Sequence, residues 1–204
     1  MVLLKSIFLS IITMACAATF SHSEPSIKDK LNALVDGLND PDPIVRIATF
    51  EDAIKLDDAT VKRIALRTAL QSKDSDLRAL ALRGALVSRN LIAFTLSAEN
   101  EKEPDPKKQE FLTKYSKNIA IQIEKYDFKT GELTGFCMAN QSSPHTSYSV
   151  SGNISGDNLS LKSSCNISSP YNNCTLMAKL TDSGHLKGKF YCGGSDVDAN
   201  LDLL

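Results

Sequence analysis

The pattern of apolar residues changes near residue 118, and this change limits the chain to a fold with two different parts. Before that point the apolar residues recur at the three- and four-residue spacing of amphipathic helices. After it, Ile119, Ile121 and Ile123 alternate with other residues, as in a strand with one buried face. We therefore expect an α+β protein with a helical module at residues 24–97, a linker and docking helix at 98–117, and an antiparallel β module at 118–204.

The first 23 residues have the pattern of a secretory signal peptide. Lys5 supplies a positive charge, residues 6–18 form an uncharged apolar run, and small residues precede Glu24. The run is short for a membrane span. We expect an exported protein, periplasmic or secreted, with no membrane span after signal cleavage. An uncleaved N-terminal anchor is the alternative.

The cysteines that follow the signal peptide all lie in the β module: Cys137, Cys165, Cys174 and Cys192. An even number of cysteines in an exported chain predicts two disulfides. The pairing we favour joins Cys165 to Cys174 around a short loop, and Cys137 to Cys192 across the module. Zinc is the competing interpretation, but the four include no Cys-x-x-Cys pair, so we expect neither a metal nor a cofactor.

The helical module should contain four helices joined by short turns, arranged as two antiparallel pairs. Ser26 is placed to cap the first helix, and Pro43 is tolerated in the first turn of the second. Aspartate-containing turns at residues 57–58 and 73–76 precede the third and fourth helices.

The two helix pairs look like copies of each other. The run Asp42-Pro43-Ile44-Val45-Arg46 aligns with Asp74-Ser75-Asp76-Leu77-Arg78 at an offset of 32 residues. Together with Leu34-x-x-x-Leu38 and the Asp-Pro-Asp-Pro turn at 40–43, these residues resemble a HEAT-type repeat over about residues 27–97, although the second copy lacks both prolines. The resemblance implies a scaffold that holds another macromolecule. An ordinary helical bundle is the alternative.

All six arginines of the chain lie in the helical module. Arg63 and Arg67 are four residues apart and should share a helix face beside Lys62, which makes these three residues a candidate surface for an anionic partner. The alternative is an ordinary solvated surface that nearby aspartates neutralise. Nucleic acid is not expected as a partner, because the isoelectric point is near 6.3.

The β module should contain seven short strands that form a barrel or a two-sheet sandwich. The run Thr130-Gly131-Glu132-Leu133-Thr134-Gly135 recurs as Ser183-Gly184-His185-Leu186-Lys187-Gly188. Repeated hairpin geometry explains this recurrence, with a glycine supplying the positive φ of each turn. A further short helix at residues 107–117 is expected to dock the two modules together.

No catalytic motif stands out. His145 and His185 are isolated in turn-like segments, and the chain has no Gly-x-Ser-x-Gly or His-Glu-x-x-His run. We therefore predict a non-enzymatic protein, scaffold or inhibitor-like, that binds another protein through its helical repeat surface. The alternative is a small-ligand or glycan-binding protein whose site lies in the β module, lined by Phe136, Tyr148, Phe190 and Tyr191.

Overall fold

A computed structural model describes residues 26–89, 91–98, 105–115, 117–138, 148–163 and 173–204. The helices are α1 (Ile27–Leu38), α2 (Pro43–Lys55), α3 (Ala59–Leu70), α4 (Ser75–Val87) and α5 (Pro106–Tyr115). The strands are β1 (Leu91–Ser97), β2 (Asn118–Tyr126), β3 (Glu132–Met138), β4 (Tyr148–Ser155), β5 (Asn158–Ser163), β6 (Cys174–Leu180), β7 (His185–Cys192) and β8 (Ser195–Asp202). The α+β prediction is confirmed. The expected signal peptide at 1–23 lies outside the described residues.

The first four helices begin at capping side chains. Ser26 Oγ accepts a hydrogen bond from the Asp29 amide at 3.2 Å, and Asp42 Oδ1 accepts one from the Ile44 amide at 2.8 Å. Asp58 and Asp74 each accept two backbone amides at the starts of α3 and α4. These carboxylates satisfy amide groups that have no partner inside the helix, which is why aspartates precede the helices.

The four helices form two stacked antiparallel hairpins. Helix α1 packs against α2 and α3, and α4 packs against α3 and α2. Their shared core includes Phe50 of the first hairpin and Ala65, Leu82 and Leu86 of the second, all buried. The prediction of four helices in two pairs is confirmed, whereas assignment to the HEAT type stays a prediction.

The eight strands close into an antiparallel barrel. Each strand pairs with its neighbours in sequence, and β8 pairs with β1 to close the sheet. Alternate residues point inward and are buried, so apolar side chains occupy the interior of the barrel. The largest of those that are fully buried are Ile92, Phe94, Leu133, Ile154, Leu159, Leu161 and Leu176. Of the two predicted architectures, the structure is the barrel.

The barrel begins at Leu91, well before the expected boundary at residue 118. Residues 91–97, which we assigned to the helical module, form β1 and pair with both β2 and β8. The seven predicted strands correspond to β2–β8. Strand β1 follows α4 closely, and a short apolar stretch directly after a helix fits either a helix or a strand. The segment 98–117 therefore connects two strands of one barrel.

Helix α5 packs on the barrel at the end where β7 turns into β8. Its Phe111 and Leu112 side chains are buried, and the Phe111 ring lies 6.3 Å from the ring of Phe190, which points into the barrel. The helix also contacts β8. We expected this helix to dock the two modules, but these contacts are with the barrel.

The favoured disulfide pairings are wrong, because Cys174 is bonded to Cys192. These residues are the first of β6 and the last of β7, and their Cα atoms lie 4.5 Å apart on adjacent antiparallel strands. Such proximity depends on strand register, which the cysteine spacing does not reveal. Cys137 in β3 is also disulfide-bonded. Its partner, and the prediction for Cys165, lie outside the described residues.

The recurring hairpin sequence has the predicted geometry. Gly131 and Gly184 adopt positive φ angles of 76° and 83°. The second glycine of each copy has a different role. Gly135 and Gly188 lie where a neighbouring strand approaches so closely that an added Cβ would overlap its backbone, at Gln122 and at Met177 respectively. Glycines in strand interiors often mark places where another backbone approaches closely.

Candidate functional site

Arg46 joins the two helical hairpins. Its Nε donates to Asp74 Oδ2 at 2.9 Å, and Nη2 pairs with the same carboxylate oxygen. Its Nη1 donates to the carbonyl oxygens of Asp40 at 2.6 Å and Pro41 at 3.0 Å. The hydrogen bond from Arg46 is the main reason that the pKa of the Asp74 carboxyl group lies below its usual value, and this effect outweighs the opposing effect of burial. Asp74 therefore both caps α4 and holds the first hairpin.

Replacing Asp74 with asparagine should separate these two roles, since asparagine also caps helices well. We expect D74N to lower the free energy of unfolding at pH 7 by about 1.5 to 3 kcal/mol, the value of a hydrogen bond to a charged group. Because the folded-state pKa is lowered, this stabilisation is present above about pH 4 and is lost as the pH falls through the folded-state value. The difference between wild type and D74N should therefore shrink from pH 7 to pH 3 in urea unfolding curves.

D58N is the matched control for this experiment. Asp58 caps α3 through its contacts with the Thr60 and Val61 amides, but it has no arginine partner among the described residues. D58N should therefore lower the free energy of unfolding at pH 7 clearly less than D74N does. Equal losses for the two variants would show that capping, and not the ion pair, accounts for the effect of Asp74.

Arg78 contacts the barrel as Arg46 contacts the second hairpin. It occupies the equivalent position on α4, and its side chain is only 9% exposed. Its Nη1 lies 2.7 Å from Asp182 Oδ1, and its Nη2 lies 3.0 Å from the Leu180 carbonyl oxygen and 3.3 Å from Asp157 Oδ2. The β4–β5 and β6–β7 turns of the barrel thus supply to Arg78 the acceptors that the next hairpin supplies to Arg46.

Two further arginines link the helices to the barrel. Arg89 Nη1 donates to the Asp202 carbonyl oxygen at 2.8 Å, and Arg83 Nη1 lies 3.5 Å from the Phe128 carbonyl oxygen. A guanidinium group can reach several oxygen acceptors in a fixed planar arrangement, which suits it to backbone turns with unpaired carbonyl groups. Arginines are therefore concentrated in the helical module partly because the interface with the barrel uses them.

The remaining arginines, Arg63 and Arg67, are the pair that the sequence singled out. Both are exposed on α3, one turn apart, and Lys62 beside them is half-buried. None of the three makes an ion pair or a side-chain hydrogen bond with another residue that the structure describes. They form the basic surface of α3, a name used below for these three residues.

Large apolar side chains are exposed on the first hairpin. Ile27 is 78% exposed, Ile44 74% and Leu56 53%. The second hairpin contacts the barrel through Arg78. The first hairpin contacts the second through Arg46 and so lies at the far end of the stack from the barrel. Ile27 and Leu56 lie at one end of this antiparallel hairpin and Ile44 lies at the other, near the α1–α2 turn. Large exposed apolar side chains of this kind can contribute to a contact surface.

The aromatic residues expected to line a cavity are divided between the two sides of the barrel wall. Phe190 points inward and is 2% exposed, and Tyr148 packs against the core from a partly buried position. Tyr191 is 45% exposed, and it and Phe136 occupy outward positions on their strands. These four residues therefore do not line one cavity.

The described ranges contain no group of three or more His, Cys, Asp or Glu residues placed to hold a metal ion. His185 Nδ1 lies 3.5 Å from Asp202 Oδ1, and His145 lies outside those ranges. Within the same ranges, none of the helices has the length and apolar character needed to cross a membrane.

Comparison with known proteins does not identify a relative. No protein-family model matches the chain, and no curated protein or solved structure is significantly similar to it. The residues and their geometry are therefore the basis for assigning a function.

Proposed function

We propose that this chain is an exported, non-enzymatic protein that binds an acidic protein partner through its helical hairpins. The observation that carries this proposal is the division of the arginines. Four of them make contacts within the fold, and the other two lie together, exposed and without a partner among the described residues. Arginine is enriched at protein interfaces because its planar guanidinium group binds carboxylates in two-point contacts.

The apolar residues of the first hairpin support the same proposal. An interface needs a desolvated apolar centre as well as charged groups at its rim. Ile27, Ile44 and Leu56 provide exposed apolar area on the first hairpin, and the basic surface of α3 belongs to the adjacent hairpin. A scaffold or inhibitor-like role follows from such a surface, in line with the resemblance to HEAT-type repeats.

The position of the barrel also fits this role. Arg78, Arg83 and Arg89 attach it to the second hairpin, and the Cys174–Cys192 bond links its neighbouring strands. Since the helices are held in place before any partner arrives, binding would not require them to be ordered first. A ligand carried inside the barrel is less well supported, because the inward side chains are buried and apolar.

Charge reversal on α3 tests the proposal. R63E/R67E and a control, K179E/K187E, change the net charge equally, and the control lysines are exposed on the outer face of the barrel. Each variant would be immobilised and incubated with extracellular and cell-envelope extract from the source organism. We expect R63E/R67E to capture at least about tenfold less of the partner that wild type retains, since a like charge facing an acidic partner opposes binding.

The control variant should retain the partner at nearly the wild-type level, and circular dichroism should show the same fold for all three proteins. Raising the salt concentration should release the partner from wild type, because exposed charge pairs are screened. Equal capture by R63E/R67E and wild type, or equal loss in the two variants, would refute a partner bound at the basic surface of α3.

A further inference from the structure

A row of outward-facing polar and aromatic residues crosses three strands at the disulfide end of the barrel. In the sheet register, Thr175 of β6 lies opposite Tyr191 of β7, and Tyr191 lies opposite Asp196 of β8. Side chains at directly opposite positions have Cβ atoms about 5 Å apart. The Tyr191 ring therefore lies between a hydroxyl group and a carboxylate on one surface.

This row forms part of a shallow depression of about 360 Å³. Asn173, Cys192, Ser195 and the β7–β8 turn complete its lining. That turn consists of Gly193 and Gly194 at φ angles of 61° and 81°. Because the turn carries no side chains, nothing from it covers the Tyr191 ring. The volume is at the lower end of the range for small-molecule sites, which is about 300 to 1,000 Å³.

The floor of the depression is held rigidly. Cys192, the neighbour of Tyr191, points inward and is bonded to Cys174 on the adjacent strand. Asp196 is held by the ammonium groups of Lys108 at 3.4 Å and Lys189 at 3.6 Å. A site whose groups are already in position has a lower entropic cost of binding.

The charges around the depression compensate one another. Lys189 also lies 2.8 Å from Asp198, so two ammonium groups face two carboxylates. Burial opposes the ionisation of Asp196, but the two lysines outweigh it and lower the pKa of its carboxyl group. The hydrogen bond to Asp198 raises the pKa of Lys189. Both groups are therefore ionised at neutral pH. Asp196 is the one charged group among the described residues that line the depression, and the two lysines compensate its charge.

We propose that this depression, the Tyr191 site, binds a neutral sugar ring of a glycan. A sugar ring combines an apolar C–H face, which suits the exposed face of an aromatic ring, with hydroxyl groups that need hydrogen-bond partners. The Asp196 carboxylate, the Asn173 amide and the Thr175 hydroxyl group provide both acceptors and donors beside the ring. The site is separate from the basic surface of α3, so the proposal does not depend on the proposed protein partner.

NMR titration of the full chain with neutral methyl glycosides tests this proposal, using those of glucose, galactose, mannose and N-acetylglucosamine. We expect at least one to bind with a Kd on the order of 1 mM, as suits a small ligand in a shallow site. Y191A should weaken this binding about tenfold, and Y191F, which keeps the ring, should change it by less than about threefold. M177A is the matched control, because Met177 is another exposed apolar residue on the outer face of β6.

M177A and R63E/R67E should bind the same glycoside as wild type does. The proposal is overturned if none of the four glycosides binds, or if Y191A and M177A weaken binding equally. Choline, a cation that can stack on aromatic rings, is the charged comparison. Binding of choline at Tyr191 more tightly than any glycoside would also overturn the proposal, since it would show that charge governs the site.

Discussion

Replacing Arg78 with methionine is expected to lower the free energy of unfolding by about 1.5 to 3 kcal/mol, because its buried guanidinium group donates to the Leu180 carbonyl oxygen and lies beside two carboxylates. Methionine keeps much of the apolar stem, so the loss would come mainly from the contacts of the guanidinium group. The change leaves Asp157 facing the helices without its cation, and Asp157 Oδ1 already has no hydrogen-bond partner in the described part of the chain. Urea unfolding followed by circular dichroism measures the effect.

Three companion variants locate the source of the loss. Asp157 is 24% exposed, whereas Asp182 is fully exposed, although both carboxylates contact Arg78. D157N should therefore be clearly destabilising, and D182N should have little effect, because exposed ion pairs contribute little to stability. R78M/D157N should recover part of the stability lost in R78M, since the uncompensated carboxylate is gone. Full additivity of R78M and D157N would contradict a direct interaction between them.

The second large effect is expected from alanine at Gly188, which should destabilise the barrel by about 3 kcal/mol or more. An added Cβ would lie 2.5 Å from Ala178 Cα and 2.7 Å from the Met177 carbonyl carbon on the neighbouring strand. A flexible side chain could move away from the new methyl group, but strand backbone cannot do so without breaking the β6–β7 pairing. The free energy of unfolding in urea would again be the measured quantity.

Gly84→Ala is the matched control, because it adds the same methyl group to a glycine in α4. There the nearest atoms are Leu66 Cδ2 at 3.6 Å and Phe50 Cζ at 3.7 Å, which are ordinary van der Waals distances. Alanine is also the better helix former, so this variant should be more stable than wild type by about 0.5 to 1 kcal/mol. A Gly188→Ala protein as stable as wild type would show that β6 and β7 can separate at this point.

Local patterns predicted most of the secondary structure. The alternation at Ile119, Ile121 and Ile123 corresponds to β2, and the turn glycines Gly131 and Gly184 have the expected positive φ. Such features depend on residues only a few positions apart. Strand β1 was missed because a seven-residue apolar stretch directly after α4 fits either a helix or a strand, and only its pairing with β2 and β8 decides between them.

At the candidate functional site, too, only the local features could be predicted from the sequence. The pair Arg63 and Arg67 was correctly placed on one exposed helix face, because a spacing of four residues is a local property. The roles of the other arginines could not be predicted. Arg78 finds Leu180 and Asp182 at sequence separations of 102 and 104, and no local signal indicates such contacts. Tyr191 was named among the aromatic residues of a possible ligand site, but its position in a row with Thr175 and Asp196 could not be predicted, because the three residues belong to different strands.

The sequence by itself determined the two-part α+β organisation, the helices with their aspartate caps, and seven of the strands, because each depends on periodicity or capping within a short segment. Only the tertiary structure decided that the barrel starts at Leu91, that Cys174 pairs with Cys192, and that most arginines serve the fold. These properties depend on strand register and on packing between distant segments. Register brings residues together across a sheet, and packing of the helices on the barrel determines which charged side chains remain exposed.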